Sequence, residues 1–184
     1  KDENQKREQD QIEYDKKQSM FAQQKHGISV RHLDCGFETY DAVTEPQKAS
    51  LEAVKSIKDA VLSGEYKNLI MIGSVGTGKT HLGQSLVVEV LRSNKSARYT
   101  TMARIIRHVR GSWDRDSGYS EKQAYADYQN EMLLVIDEVG VQANTEDERN
   151  IIFEVINERY ESCVPTVIIC NLTKDELVAT LGDR

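Results

Sequence analysis

The sequence predicts a three-layer α/β fold built on a parallel sheet, and three observations predict it. Short continuous apolar runs at 68–73, 131–137 and 164–170 alternate with longer segments of helical periodicity. A glycine-rich octapeptide, GSVGTGKT at 73–80, joins the first run to a helix. The second run ends in a pair of carboxylates, Asp137 and Glu138. Strands alternating with helices of this length imply right-handed β-α-β crossovers and hence a parallel sheet.

The first 27 residues stand apart from this pattern. Between Lys1 and His26 there are six cationic and six acidic side chains, many glutamines and few apolar residues (Ile12, Tyr14, Met20, Phe21). Such a stretch cannot build its own core. It reads as a charged, solvated helix stopping at Gly27, either a linker or the remnant of a preceding domain. The globular pattern begins at Ile28. Thr44-Glu45-Pro46-Gln47 is a helix start, with Thr44 as cap, Gln47 reaching back and Pro46 where no amide donor is needed. Leu51, Val54, Ile57 and Val61 follow at helical spacing, and Ser63-Gly64 ends the run. The run at 68–73 has the composition of a strand buried on both faces. A helix over 79–93, a short strand over 98–101 and a helix over 102–113 come next. Then follow the strand at 131–137, a helix over 146–162 and the strand at 164–170.

Composition bounds what such a domain does. With 184 residues, 39% of them apolar, the chain can bury a sizeable core. That excludes a collagen, a disulfide scaffold and a fully disordered chain. No apolar run approaches the ~20 residues that span a bilayer, and none resembles a signal peptide. Three cysteines without CxxC spacing suit a reducing cytoplasm. A net charge of −6 argues against a protein that coats nucleic acid, while leaving room for a local basic site.

The octapeptide Gly73, Ser74, Val75, Gly76, Thr77, Gly78, Lys79 and Thr80 fits G-x-x-x-x-G-K-[ST] without a mismatch, between a strand and a helix. Glycines let backbone N–H groups turn inward on phosphate oxygens, and the helix N-terminus adds partial positive charge. Lys79 is placed to reach the β- and γ-phosphates of ATP and Thr80 to coordinate Mg²⁺, with ADP held by the same loop after hydrolysis. His81, next in line, either joins this nucleotide site or packs beneath the helix. Asp137 ends the run MLLVID as a second Mg²⁺ carboxylate would. Glu138 beside it can polarise an attacking water, which suits hydrolysis over transfer to a bound small molecule; the alternative is a surface acid at a strand end. No N-K-x-D tetrapeptide reads guanine. Asn171, at the tip of the last strand, either bonds the attacking water or the γ-phosphate, or closes a turn.

One section is basic. Arg98, Arg104, Arg107, Arg110 and Arg115 face only Asp114 in sequence, and Met102, Ile105, Ile106, Val109 and Trp113 recur at helical spacing. Arginines can follow a phosphate backbone and an exposed aromatic can stack on bases, so Arg104, Arg107, Arg110 and Trp113 are candidate contacts to single-stranded DNA. The alternative is that Trp113 staples the helix to the core and the arginines are a solvated face. The four histidines share no metal-ligand spacing, the cysteines look like small core residues, and no Ser-His-Asp arrangement can be argued.

Taken together, the chain resembles the DnaC/IstB branch of AAA+ ATPases, most closely the DnaC-type replicative helicase loaders. The resemblance runs from about Val30 to Arg184. It is carried by CGFETY at 35–40, the P-loop with His81-Leu82, LLVIDEVGVQ at 133–142, Pro165-Thr166, Asn171 and LGDR at 181–184. It implies a three-layer P-loop NTPase of the AAA+ type over 28–184, C-terminally incomplete with the last core strand missing, behind a reduced N-terminal segment over 1–27. It implies a Mg²⁺-dependent, slow or partner-stimulated ATPase. Asn171 would be its sensor I, Arg184 the arginine finger completing a neighbour's site, and Phe37 and Tyr40 would lie near the adenine. The resemblance further implies a cytoplasmic protein with no membrane contact. It would assemble into a ring or helical oligomer, bind a DnaB-type helicase and place it on single-stranded DNA during replication initiation, the basic helix facing the oligomer's pore. An IstB-like transposition ATPase, a non-catalytic ATP-switched adaptor and, more remotely, a small-molecule kinase share parts of the pattern.

Overall fold

The computed structural model of the chain describes residues 25–140 and 145–181. Four parallel strands form one sheet: β1 (Leu69–Ile72), β2 (Ala97–Thr101), β3 (Leu133–Val139) and β4 (Thr166–Cys170), in the order β1-β4-β3-β2. Successive side chains of the two central strands point to opposite faces and feed two cores. Leu133, Val135, Val167 and Ile169 join one core, with helices α1 (Glu45–Ser63) and α2 (Lys79–Arg92) over that face. Leu134, Ile136, Ile168 and Cys170 join the other, covered by α3 (Met102–Gly111), α4 (Glu121–Gln129), α5 (Glu146–Glu161) and α6 (Lys174–Leu181). The result is a three-layer arrangement, helices on both faces of a parallel sheet.

Helix α1 starts as its sequence dictates. Thr44 Oγ1 accepts from Gln47 N, the Gln47 carboxamide accepts from Thr44 N at 2.8 Å, and Gly64 ends the helix at φ +77°. Val54, Ile57, Ala60 and Val61 form its buried stripe. Strand β1 departs from the sequence expectation of burial on both faces. Among the described residues it is an edge strand, and Ile70 and Ile72 are 51% and 45% exposed. Its apolar run reports β-propensity and one packed face, carried by Met71.

Two helices escaped the periodicity reading, α4 and α6. Both are short, with only three inward residues in α4 and Leu177 in α6. Each nonetheless carries a readable start: Ser120-x-x-Gln123 closes a capping box, and Thr173 N donates to Glu176 Oε2 at 2.8 Å. The body of the expected N-terminal helix and Arg184 lie outside the described residues. What is described begins at Lys25, and Gly27 has the left-handed φ of +87° expected of a helix stop. The segment then runs along the outer edge of β2, where Tyr99 N donates to His26 O at 2.9 Å and His26 Nδ1 donates to Ala97 O at 2.8 Å. A Cβ on Gly27 would stand 1.8 Å from Tyr99 O, so glycine is required there by both φ and space.

Buried Arg159 ties the far end of the sheet together. Nε donates to Thr166 Oγ1 at 2.9 Å, Nη1 to Tyr128 O and Glu131 O at 2.8 Å each, and Nη2 to Pro165 O at 2.6 Å. The guanidinium thereby joins the end of α4 to the starts of β3 and β4. Burial pulls its pKa down to about 10. No helix of the described residues is long and apolar enough to cross a membrane.

Candidate nucleotide site

The loop between β1 and α2 is a concavity built from main chain. Gly78 caps α2 at φ +87°, a conformation strained for any side chain, and a Cβ there would lie 2.7 Å from Tyr40 Cε2 and push that ring aside. Lys79, first residue of α2, turns its ammonium back into the loop. Its Nζ donates to Gly73 O and Ser74 O at 2.8 Å each, and to Thr77 Oγ1 at 3.3 Å. A cation at the loop centre, beside the free N–H groups of a helix start, is the donor set a phosphate requires. A cleft of about 610 Å³ opens from it, running from Gly76, Thr77 and Lys79 to Tyr40, Thr44 and Gln47 near the start of α1.

At the edge of the loop stands Asp137, buried on β3. Thr80 Oγ1 donates to its Oδ2 at 2.7 Å, and Glu138 N donates to its Oδ1 at 2.6 Å. The sequence reading missed a third donor, Tyr99 of β2, whose hydroxyl reaches Oδ2 at 2.7 Å. Burial and the Asp137 carboxylate push that hydroxyl well above the usual tyrosine range. No pattern in the sequence singles Tyr99 out; only the pairing of β2 with β3 brings it there. The residues fit a magnesium ion. A buried carboxylate and a hydroxyl lie together beside a phosphate-binding loop, and no Lys or Arg pairs with Asp137 among the described residues. Those residues hold no group of three or more His, Cys, Asp or Glu that could bind a metal. That too agrees with Mg²⁺, which takes one or two protein oxygens and completes its shell with phosphate and water.

Glu138 is exposed and has φ +58°, in the left-handed region, where the β3–β4 register shifts between Ile136 and Val139. This irregularity turns Glu138 out of the strand's alternation and away from the core. On β4, Cys170 is opposite both Ile72 and Val139, so Asn171 follows at the same end of the sheet as Gly73 and Glu138. The side chains of Glu138 and Asn171 make no hydrogen bond among the described residues. Sheet register thus brings Asn171, Glu138, Asp137 and the loop to one edge.

Around the cleft the aromatic expectations divide. Tyr40 lines it, with its hydroxyl donating to Thr77 O at 3.3 Å. Phe37 does not line it; its ring packs against the core of the α1–α2 face, with Lys58 Nζ 5.7 Å from the ring centroid. His81 does not line it either. Its ring stands 5.7 Å from that of Tyr40, and its Nε2 is 3.1 Å from Thr39 Oγ1.

The basic helix is less basic in three dimensions than in sequence. Arg104 and Arg107 are exposed, but Arg110 Nη1 donates to Glu148 Oε1 at 2.9 Å and its Nη2 to Thr145 Oγ1 at 3.2 Å, at the start of α5. Arg98 pairs with Glu131 at 3.2 Å. Acids far away in sequence take up two of the five arginines, which local charge counting cannot see. Trp113 is 50% exposed, and its indole N–H donates to Glu121 Oε1 at 2.9 Å, closing the loop between α3 and α4.

Comparison with known proteins agrees with this geometry. The family model for IstB-like ATP-binding proteins matches residues 3–184. The replicative helicase loader DnaC of Escherichia coli K12 is 35% identical over 158 residues, 86% of this chain and 64% of that protein. The chain thus spans less than two thirds of that relative's length. Among solved structures, a DnaC helicase loader superposes with a TM-score of 0.74 at 22% identity, covering 84% of this chain and 91% of that one. AMPPCP-bound DnaA from Aquifex aeolicus superposes with a TM-score of 0.71 at 22% identity, over 85% and 46% of the two chains.

Proposed function

The chain belongs to the family of IstB-like ATP-binding proteins, and we propose that it is a Mg²⁺-dependent ATPase that loads a DnaB-type replicative helicase onto single-stranded DNA. The observation that carries the ATPase reading is the hydrogen bond from Thr80 to buried Asp137, beside the Lys79 ammonium. In this reading Lys79 exchanges its carbonyl partners for phosphate oxygens, and the loop amides orient the triphosphate. Thr80 and Asp137 would hold Mg²⁺, which would supply positive charge against the triphosphate. Glu138 accepts a proton from the attacking water, and Asn171 holds that water or the γ-phosphate in line. Tyr40 lies along the adenosine end of the cleft. Arg184, carried over from the family pattern, completes the site of a neighbouring copy in a ring or helical oligomer.

Helicase loading is supported by the 35% identity to a protein of that function and by the likeness to a loader structure. The charged stretch before Gly27 is then a linker, and 28–184 is the ATPase domain, acting in the cytoplasm. Arg104, Arg107 and Trp113 are the DNA contacts that remain open to solvent, while Arg110 serves the α3–α5 junction. Size-exclusion chromatography of the full-length protein with the replicative helicase of its host tests the partner. The reading expects a stable complex that places helicase on circular single-stranded DNA only with ATP. No complex at micromolar concentrations of both proteins contradicts it.

A further inference from the structure

We infer that Tyr99 is a positioning residue for the magnesium site, acting through Asp137; the inference rests on the reading of Asp137 as the metal-holding carboxylate. Tyr99 lies on β2, two residues before Thr101, which is the register partner of Asp137 on β3. Its side chain is 6% exposed and its hydroxyl donates to Asp137 Oδ2 at 2.7 Å. The other oxygen, Oδ1, is held by Glu138 N at 2.6 Å. With donors on both oxygens the carboxylate has one orientation, and rotating it breaks the buried bond from Tyr99 as well as the bond from Glu138 N. Both of these donors remain on the protein when the Thr80 oxygen engages a metal ion, so Tyr99 is the side chain that keeps Oδ2 aimed at that moment.

Tyr99 is itself rigid. Its N–H donates to His26 O at 2.9 Å, and its ring lies 3.8 Å from where a Cβ on Gly83 would stand. A buried tyrosine needs an acceptor in any case. This acceptor, however, is a carboxylate 4% exposed whose donors are all neutral, so its negative charge calls for a cation that the described residues do not supply. Groups that orient a metal ligand change metal affinity 10- to 100-fold when removed.

The test uses Tyr99→Phe and Asp137→Asn in the full chain, with binding of a non-hydrolysable ATP analogue followed as Mg²⁺ is titrated. The inference expects Tyr99→Phe to raise the half-saturating Mg²⁺ concentration about tenfold or more. Its metal-free nucleotide affinity should stay within about twofold of the parent. A purely structural role would instead move the melting temperature and leave the Mg²⁺ midpoint in place, which overturns the inference. If Asp137→Asn leaves the Mg²⁺ response unchanged, the metal-site reading beneath it falls. A lost response in Asp137→Asn with an unchanged one in Tyr99→Phe removes Tyr99 alone. Should the phenylalanine variant not fold, 3-fluorotyrosine placed at position 99 keeps the hydroxyl. Its fluorine resonance is expected to shift when Mg²⁺ is added to the nucleotide complex and to stay put in Asp137→Asn. No shift in the otherwise unmodified protein overturns the inference.

Discussion

The main-chain N–H of Glu138 donates to Oδ1 of the residue before it, Asp137, at 2.6 Å, and Glu138 holds a φ of +58° as it does so. A left-handed conformation is unfavourable for a residue with a Cβ, by about 1–2 kcal/mol. Here the same local irregularity fixes the buried carboxylate and turns its neighbour to solvent. Strained backbone persists where surrounding structure over-determines it, and it gathers at functional sites.

Glu138→Gly therefore separates stability from chemistry. The variant should be more stable than the parent by about 1 kcal/mol in urea unfolding, since glycine takes this φ without strain. ATP turnover should fall to background in the same variant. A loss of stability would show that the conformation carries no strain.

Three buried tyrosines make stability sensitive to alkali. Burial pushes the hydroxyl of Tyr128 up to about 12 and raises Tyr99 and Tyr125 further. A tyrosine whose folded pKa lies above its unfolded value of about 10 stabilises the fold fully below that pH. The contribution is lost as pH rises from 10 through the folded values. Absorbance at 295 nm should show these three of the eight tyrosines ionising only as circular dichroism reports unfolding. Complete ionisation near pH 10 with the fold intact would contradict their burial.

Arg159 opposes two large effects. Burying its charge is unfavourable, while hydrogen bonds to charged groups are worth about 1.5–3 kcal/mol each and it makes several. The bonds win because the planar fork spans from Pro165 to Tyr128. Arg159→Lys keeps the buried charge without the fork. It should lose about 3 kcal/mol in urea unfolding, more than Arg159→Met, which leaves no charge behind. A lysine variant as stable as the parent would show that charge alone holds the junction.

The arginines of α3 divide into two groups with different readouts. Arg104→Ala with Arg107→Ala should weaken single-stranded DNA binding and lower its salt slope by about 0.7 per arginine. Arg110→Ala should leave the slope unchanged and destabilise the α3–α5 packing, because Arg110 is spent on Glu148 and Thr145. Slopes in both variants equal to the parent's would return the helix to a solvated face.

Sequence legibility followed sequence distance. The helix start at Thr44, the loop at 73–80 and the strand ending in Asp137 are local patterns, and the structure forms each where the pattern stands. What escaped depends on residues far apart in the chain. Tyr99 meets Asp137 across 38 residues, and Arg110 meets Glu148 across another 38. The exposure of Ile70 and Ile72 depends on which strands flank β1, which an apolar run cannot report. The family pattern puts both Phe37 and Tyr40 near the adenine, and both rings pack on the edge of the core of the α1–α2 face. Of the two, Tyr40 also lines the cleft, which a shared segment of sequence cannot distinguish.

The most direct test of the account is Glu138→Gln, with ATP turnover and nucleotide affinity measured in the presence of the replicative helicase and single-stranded DNA. The amide keeps the shape of the side chain and removes its capacity to accept a proton from water. Glu138→Gln should keep ATP affinity within about threefold of the parent and lower turnover by about 100-fold or more, within the range for loss of a positioned base. Substantial turnover equal to the parent's would remove Glu138 as the base, and equal, negligible turnover with tight binding in both would leave the chain a nucleotide-binding protein without hydrolysis of its own.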